Sequence, residues 1–410
     1  MRGAGALIHL GWGPGKGRRG LGALGRLAAD QMARAPGRNA VTISALMVGI
    51  AIMVGVGIMI QSFRYTVEAW INQTIMADLV VAPVSWLQGD EGGMLANRIP
   101  LAWGDRIASI PGVAAVDPFR DLTVEIQGQP RALVSRDLRL HAERSRYLFI
   151  SGDSATTLMR AADENGVVVS EVLAGALNIS AGGTIRLMTP AGEQRFPVMG
   201  VFYDYATDGG KVVMDRALYR RFWPDDTATV FGVYGRPGAD MNAVRRQIAE
   251  TVGREGRLLV ISNGELKKEI LAIFDRTFAV TYALEFIAVV IALLGIVNTL
   301  LTSVLERQRE LATLRAIGAS AQQIRRLVLW ESSYLGLLGA ALGVLGGVLL
   351  SVLLIEVINK QSFGWTIQLT LPGSMLVEAV GVALAAAVVA GTLPARWAAK
   401  QPIVDGLRYE

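Results

Sequence analysis

Residues 41–60 read VTISALMVGIAIMVGVGIMI, an apolar run of 20 residues without a charged side chain. An α-helix rises about 1.5 Å per residue, so ~20 residues cover the ~30 Å hydrocarbon core of a bilayer. The run is too long for the apolar part of a secretory signal, and the Gln61-Ser62-Phe63-Arg64 that follows is not a small-residue cleavage site. The run therefore predicts a first transmembrane helix.

Three further apolar runs have a similar length, at residues 286–305, 334–354 and 376–393. Glu378 lies near one end of the last run, where its carboxylate can reach the membrane interface. The chain is 52% hydrophobic and 18% charged, and its mean hydropathy is +0.39, which is too apolar for an ordinary soluble protein of 410 residues. These observations predict four transmembrane helices.

Lysine and arginine flank these runs asymmetrically. They are abundant before the first run, between the second and third runs and after the fourth, whereas the connection between the third and fourth runs has only Lys360. Because positive charge favours the cytoplasmic side, both termini and the loop at 306–333 are predicted inside. The long segment 61–285 is then predicted outside.

The predicted fold class is an α-helical membrane protein with four transmembrane helices plus an α+β extracytoplasmic domain inserted between the first and second. The predicted segments are a cytoplasmic leader with an interfacial amphipathic helix (1–40), transmembrane helix 1 (41–60), an extracytoplasmic domain (61–285) with a stalk at 262–285, transmembrane helix 2 (286–305), a cytoplasmic coupling loop (306–333), transmembrane helix 3 (334–354), a short outer loop (355–375), transmembrane helix 4 (376–393) and a cytoplasmic tail (394–410).

The outer segment has patterns of both strands and helices. Strand–helix–strand units are predicted at residues 78–126 and 229–261, and the alternating stretch 166–214 between them predicts a small β-rich insertion. Ser262 is predicted to cap a helix that runs from this domain into the second transmembrane helix. Such a helix is a candidate stalk that carries motion between the membrane and the domain.

Two further helical patterns leave alternatives open. Apolar residues recur at helical spacing between Leu21 and Met32, which predicts an interfacial helix, with a short cytoplasmic helix as the alternative. The third run contains a stripe of small residues, Gly339, Gly343 and Gly347. Such a stripe allows close helix packing, and packing within the chain is favoured over contact with a second copy.

The sequence contains few candidates for chemistry. It has no cysteine, and its two histidines, His9 and His141, are predicted on opposite sides of the membrane. The glycine-rich stretch that includes Lys16 lacks both the first glycine and the Ser or Thr of a phosphate-binding loop. We therefore predict no catalytic, cofactor-binding or metal site in this chain. Its basic residues lie at the ends of apolar runs rather than in one patch, so nucleic-acid binding is not predicted either.

The decisive motif follows the second apolar run. Residues 295–320 read GIVNTLLTSVLERQRELATLRAIGAS, and Glu331 lies near the start of the third run. With APGR at 35–38 and PARWAA at 394–399, this stretch resembles the FtsX/MacB-type ABC transporter permeases, FtsX-like permeases with a MacB-like periplasmic core domain. The resemblance extends from about residue 22 to the end of the chain.

The resemblance implies that the chain binds no nucleotide and that ATP and magnesium bind to a separate cytoplasmic ABC ATPase. The loop at 306–333 would contain a coupling helix that docks on this ATPase, formed by Glu310, Leu311, Leu314, Arg315, Ala316, Gly318 and Ala319. Leu311 and Leu314 would form the apolar ridge, and Gly318 would end the helix. The alternative is an amphipathic helix that lies on the membrane. Glu331 is expected to pair with an arginine, such as Arg325 or Arg326.

The implied function is export or extraction of a substrate, such as lipoprotein release, by mechanotransmission from the ATPase. The alternatives are a signalling component that regulates an outside partner such as a cell-wall hydrolase and, more weakly, a membrane-tethered enzyme. Expected partners are the ATPase, the lipid bilayer and a second permease, in a homodimer or a pair of different permeases. The implied location is the bacterial cytoplasmic (inner or plasma) membrane, and the chain could correspond to one half of a longer duplicated permease.

Overall fold

The computed structural model describes residues 36–84, 98–207, 209–253 and 258–400, together with Ala28. The chain divides into two compact units. The helical unit contains Met1–Ser62, Thr277–Val357 and Leu369–Glu410, and the sheet unit contains Phe63–Arg276 and Ile358–Gln368. The predicted amphipathic helix at 21–34 lies outside the described residues except for Ala28, which is buried in one apolar cluster with Leu311.

Helices and strands alternate in the sheet unit, whereas the helical unit contains helices throughout its described part. The described α-helices are α1 Pro36–Thr74, α2 Ala102–Ala108, α3 Leu138–Arg144, α4 Ser154–Asp163, α5 Glu171–Leu177, α6 Arg216–Phe222, α7 Met241–Ile248, α8 Asn263–Glu306, α9 Gln308–Ala316, α10 Ala321–Val352, α11 Lys360–Phe363 and α12 Gly373–Lys400, and π-helical turns follow α7 at Ala249–Gly253 and α10 at Leu353–Asn359. The described strands are β1 Leu79–Pro83, β2 Ile99–Pro100, β3 Val113–Ile126, β4 Gln129–Arg136, β5 Val167–Ser170, β6 Thr184–Thr189, β7 Gly192–Phe202, β8 Lys211–Asp215, β9 Thr227–Ala228, β10 Val230–Gly235 and β11 Leu258–Ser262.

Three described helical stretches are long and apolar enough to cross a membrane: Asn39–Thr74, Ala321–Phe363 and Gly373–Lys400. The second predicted span lies within α8, where Leu293–Glu306 is apolar but shorter than a full crossing. Several α8 side chains before Leu293 are not among the described ones. The membrane crossing predicted at 286–305 therefore stays a prediction.

The helix of the third span is longer than the apolar run predicts. α10 begins at Ala321 because Ser320 and Gln323 form a capping box. At its other end, π-helical turns at Leu353–Asn359 lead directly into α11. The helix ends are set by these local features rather than by hydropathy, so the predicted outer loop is partly helical.

The glycine stripe of α10 packs against α1 of the same chain. Its glycines face a row of apolar side chains, Gly339 opposite Leu46, Gly343 opposite Ile50 and Gly347 opposite Val54. A Cβ atom added at Gly343 would lie 2.6 Å from the Cβ of Ile50, which is closer than side chains can approach. This packing occupies the stripe within the chain and leaves it unavailable to a second copy in this conformation.

We expect Gly343→Ala to destabilise the helical unit by about 1–3 kcal/mol, because the added methyl group overpacks the contact between α1 and α10. Gly381→Ala is the matched control within α12, since in the described part of the chain an added Cβ there meets no atom within 4 Å beyond its own turn of helix. Helix propensity predicts that this control is neutral or stabilising by up to about 1 kcal/mol. Thermal unfolding in detergent measures both variants, and equal effects would contradict this packing.

The sheet unit is built on a nine-stranded sheet with the order β11-β1-β10-β3-β4-β8-β5-β7-β6. The pairs β4–β8 and β5–β7 are parallel, and the other pairs in this sheet are antiparallel. The first part of β3 pairs with β10 and its second part pairs with β4. The strand β3 therefore belongs to both halves of the sheet. The first half contains β11, β1, β10 and the start of β3, and the second half contains the end of β3 with β4, β8, β5, β7 and β6.

Each half of the sheet has its own apolar core. One core contains Ile107, Phe231 and Val260, and the other contains Leu133 and Phe196. The predicted strand–helix–strand units form the first half. The predicted insertion differs from the structure, because it begins in β3 and β4 and also contains short helices. Aspartate or serine side chains cap these helices, at Asp137 for α3, Asp153 for α4, Ser170 for α5 and Asp215 for α6.

A buried ion pair lies near the junction of the two halves. The guanidinium of Arg136 in β4 donates to the carboxylate of Asp117 in β3, and its Nη1 donates to the hydroxyl of Tyr147 at 3.2 Å. The Arg136 guanidinium also lies 5.7 Å from the ring centre of Phe119. Burial would lower the pKa of Arg136, but the charge of Asp117, its hydrogen bond and the nearby Tyr147 and Tyr234 together outweigh burial and hold the pKa above its ordinary value. This pair joins the part of β3 that pairs with β10 to the end of β4.

His141 of α3 is completely buried, with its ring 4.6 Å from the ring of Tyr147. Neither ring nitrogen has a hydrogen-bond partner in the described part of the chain. Burial lowers the pKa of His141 well below its ordinary value, and the charge of Arg136 lowers it further. The folded protein therefore holds this side chain neutral.

We expect acid to destabilise the sheet unit through His141. Above about pH 6.5 the side chain is neutral in both states and contributes nothing to pH dependence. Below that pH the unfolded chain binds a proton that the folded chain excludes, so the free energy of unfolding falls by about 1.4 kcal/mol per pH unit down to the folded-state pKa. His141→Phe should remove this slope in thermal unfolding between about pH 6.5 and pH 5, where most exposed carboxylates are still ionised. His9→Phe is the control and should keep the slope, whereas an unchanged slope in His141→Phe would contradict the assignment.

Candidate coupling site

The predicted coupling helix is α9, which is fixed at both ends. Arg307 separates it from α8, and Gly318 ends it with a φ of +106°, which glycine adopts without strain. The backbone N–H of Ala319 donates to Leu314 and that of Gly318 to Arg315, a Schellman arrangement. Ser320 then caps α10, so the turn between the two helices is short and well defined.

The two leucines of the predicted docking ridge differ in exposure. Leu311 is buried in a cluster that also contains Ile324 and Ala395, so its side chain is directed into the chain in this conformation. Leu314 is half-buried at the edge of the same cluster. Glu310, Ala316 and Gly318 are exposed, and Arg315 and Ala319 are half-buried. Leu311 therefore joins α9 to α10 and α12, and the other predicted residues form the accessible part.

The most exposed apolar side chain here is one that sequence reasoning missed. Ile317 is 77% exposed, and it follows the last residue of α9. A large β-branched side chain immediately before the glycine that ends a surface helix was the available signal. Ile317 borders a groove of about 270 Å³ between α9 and α10, which is also lined by Leu314, Gly318, Ala319, Gln323, Ile324 and Leu327.

A partly buried ion pair joins the start of α9 to α10. Nη1 of Arg307 donates to Glu331 at 2.8 Å, and its Nε donates to Glu310 at 3.1 Å. Burial would lower the pKa of Arg307, but the charges of Glu331 and Glu310 and the hydrogen bonds to both carboxylates together outweigh burial and raise the pKa above its ordinary value. An arginine partner for Glu331 is thus confirmed, but it is Arg307 and not Arg325 or Arg326, because residues five or six positions before Glu331 do not share its face of the helix.

In the sheet unit, the end of α1 and the start of α8 are joined by side chains from both helices. The side-chain amide of Asn263 donates to the carbonyls of Ile75 and Ala77, at 2.8 Å each. The rings of Phe63 and Phe274 lie 5.4 Å apart, so the two helices also touch further along. These two helices form the stalk, defined here as Phe63–Thr74 and Asn263–Arg276.

The predicted cap of the stalk helix is confirmed. The N–H of Glu265 donates to the Ser262 hydroxyl at 3.3 Å, and the N–H of Ser262 donates to the Glu265 carboxylate at 2.9 Å. The hydrogen bond from Ser262 and the one from Arg245 lower the pKa of Glu265 to about 2. The capping box therefore keeps its charge-assisted hydrogen bond at any physiological pH.

Family models match both parts of this architecture. The model described as FtsX-like permease C-terminal matches residues 282–403, and the model described as MacB-like periplasmic core domain matches residues 40–251. A sheet-rich domain that follows the first apolar helix and precedes the later ones defines the class as a membrane-embedded permease. The chain belongs to the FtsX/MacB-type family of ABC transporter permeases.

Individual relatives agree with this assignment. The chain is 32% identical to an uncharacterized ABC transporter permease protein of Mycobacterium tuberculosis, over 97% of this chain and 46% of the relative. It is 28% identical to the macrolide export ATP-binding/permease protein MacB of Bdellovibrio bacteriovorus, over 54% of this chain and 36% of the relative. The chain thus spans about half of the length of these relatives or less. The periplasmic region of MacB from Actinobacillus actinomycetemcomitans aligns with 48% of this chain and 94% of that structure, with 12% identity and a TM-score of 0.35.

Proposed function

We propose that this chain is the transmembrane subunit of an ABC transporter, and that a separate cytoplasmic ATPase docks on the groove between α9 and α10. The observation that carries the proposal is the exposed Ile317 beside a groove with several apolar lining residues. Large apolar side chains that border a groove on a helix with fixed ends are typical of docking sites for a partner protein. ATP and magnesium would bind to the partner, and this chain would bind no cofactor.

The packing of α9 supports mechanotransmission. Leu311 packs in one buried cluster with Ile324 of α10 and Ala395 of α12, and Arg307 forms an ion pair with Glu331 of α10. A displacement of α9 by the ATPase would therefore shift its neighbouring helices rather than bend a free loop. Since α8 continues without a break into the stalk, the proposal extends this displacement to the sheet unit.

The remaining features of the proposal follow from the family and from the charge asymmetry of the sequence. The chain lies in the bacterial cytoplasmic membrane with both termini inside and the sheet unit outside, and it works with a second permease subunit. It is not an enzyme, and its membrane crossings are proposed at the predicted residues, within the longer helices described above. Export or extraction of a substrate is the output that the proposal favours.

Co-purification from membranes tests the proposal directly. The full chain would be expressed in a bacterial host of its own lineage and solubilised mildly, and the proteins retained with it would be identified by mass spectrometry. We expect a stoichiometric ABC ATPase. A folded, inserted chain that retains no ATPase would overturn the proposal and favour the membrane-tethered enzyme.

Substrate movement separates transport from signalling. Inverted vesicles that contain the complex would be supplied with ATP and assayed for loss of candidate amphipathic compounds from the medium. Accumulation that requires ATP supports transport. ATP hydrolysis that instead tracks an outside hydrolase, without accumulation, supports the signalling alternative.

A further inference from the structure

The segment Ile358–Gln368, called the strap here, lies in the sequence between two helices of the helical unit but belongs to the sheet unit. Several of its hydrogen bonds are made by Thr366, whose backbone N–H donates to the carboxylate of Glu171 at 3.1 Å. The Thr366 hydroxyl donates to the same carboxylate. Its carbonyl accepts a hydrogen bond from the hydroxyl of Tyr205 at 2.7 Å. Every polar group of this residue is therefore bound by the half of the sheet unit that contains β5 to β8.

Other contacts extend along the strap. The N–H of Gln368 donates to the hydroxyl of Thr66 at 3.0 Å. The ring of Trp365 is stacked on Phe63, with 5.8 Å between the ring centres, and meets Tyr205 edge-on at 6.3 Å. Gly364, with a φ of +73°, turns the chain beside Val172, where an added Cβ would be in ordinary contact with the valine side chain. The strap is thus held by polar and aromatic contacts at several successive residues.

The strap begins inside an irregular helical segment. Leu353–Asn359 is π-helical, and the change from the helical unit to the sheet unit falls between Val357 and Ile358. π-helical turns are rare and occur often where a helix changes its register or serves a function. The side-chain amide of Asn359 donates to the carbonyl of Trp365 at 2.7 Å, which closes the turn at the base of the strap.

We propose that the strap fastens the β5–β8 half of the sheet unit to α10 through this π-helical segment, with Glu171 and Tyr205 as the fastening residues. A displacement of that half pulls on Thr366 and changes the winding of Leu353–Asn359. The strap is thus a second mechanical connection, in addition to the stalk. It does not depend on an ATPase, so its test is independent of the proposed function.

Hydrogen exchange of the full chain in nanodiscs tests the strap. In Glu171→Ala/Tyr205→Phe, we expect exchange of residues 358–368 to accelerate by about tenfold or more, because three hydrogen bonds are lost. Exchange at 353–357 should accelerate as well. Arg139→Ala, which breaks an exposed ion pair with Asp163 in the same half, is the matched control and should change neither segment. Unchanged exchange at 358–368 would overturn the strap, and acceleration there alone would overturn its connection to α10.

A crosslink tests the opposite direction, and the absence of native cysteines makes it specific. Oxidation of Glu171→Cys/Thr366→Cys in membranes should form an intrachain disulfide, detected by a mobility shift that reductant reverses. Exchange at 353–357 should then slow relative to the reduced protein. Failure to crosslink while both single-cysteine variants react with maleimide would overturn the proposal, as would a crosslink that leaves 353–357 unchanged.

Discussion

Ile317→Asp is expected to weaken binding of the ATPase by about 100-fold or more, because docking would bury an unpaired carboxylate beside an apolar groove. Ile317 is 77% exposed in the free chain, so the substitution should leave folding and membrane insertion intact. Retention of the ATPase on the purified variant, compared with the wild type at equal chain concentration, measures the effect. The loss should be accompanied by loss of ATP hydrolysis in the purified complex.

The control repeats the same chemical change elsewhere. Ile150 is 49% exposed in the sheet unit, and Ile150→Asp should retain the ATPase fully. If Ile317→Asp also retained it, the groove would not be the docking site. If both variants lost the ATPase, the effect would reflect general damage. A variant that keeps the ATPase but associates less with membranes would instead support the alternative of a helix lying on the bilayer.

Arg136→Met is expected to lower the free energy of unfolding of the sheet unit by about 3–5 kcal/mol. Asp117 is only 1% exposed, and without the guanidinium its charge would stay buried with its ion pair lost and with the hydrogen bond from the backbone N–H of Asp137 remaining. The variant would also lose the hydrogen bond to Tyr147. Native-state hydrogen exchange of β3 and β4 measures the change.

Arg160→Met is the matched control, since it breaks a pair with Glu164 whose side chains are 57% and 50% exposed. Such a pair contributes about 1 kcal/mol or less. The double variant Asp117→Asn/Arg136→Met should be more stable than Arg136→Met alone, because the buried charge is gone. An Arg136→Met effect as small as that of the control would contradict the buried pair.

The membrane helices and the family could be predicted from sequence because they rest on local signals. The length and apolar composition of a charge-free run such as residues 41–60 are enough to predict a membrane helix, and the motif at 295–320 is also contiguous in sequence. The helix cap at Ser262 could be predicted equally well, since a capping residue bonds to groups within three positions along the chain. Each of these predictions used neighbours in sequence only.

Features that depend on distant contacts could not be predicted. Leu311 was assigned to the docking ridge, yet it is buried near Ala395, far along the chain. The strap was predicted as a plain outer loop, because its fastening to Glu171 joins residues 195 positions apart. The pairing of Glu331 with Arg307 depends on how α10 packs beside the start of α9, which helix periodicity alone does not give.

The central claim is that the nucleotide state of the ATPase reaches the stalk through α9. Hydrogen exchange of the complex in nanodiscs, without nucleotide and trapped with ATP and vanadate, tests it most directly. We predict that exchange in Phe63–Thr74 and Asn263–Arg276 differs between the two states for the wild type and Ile150→Asp. Identical exchange in the stalk, in a complex that hydrolyses ATP, would contradict the account.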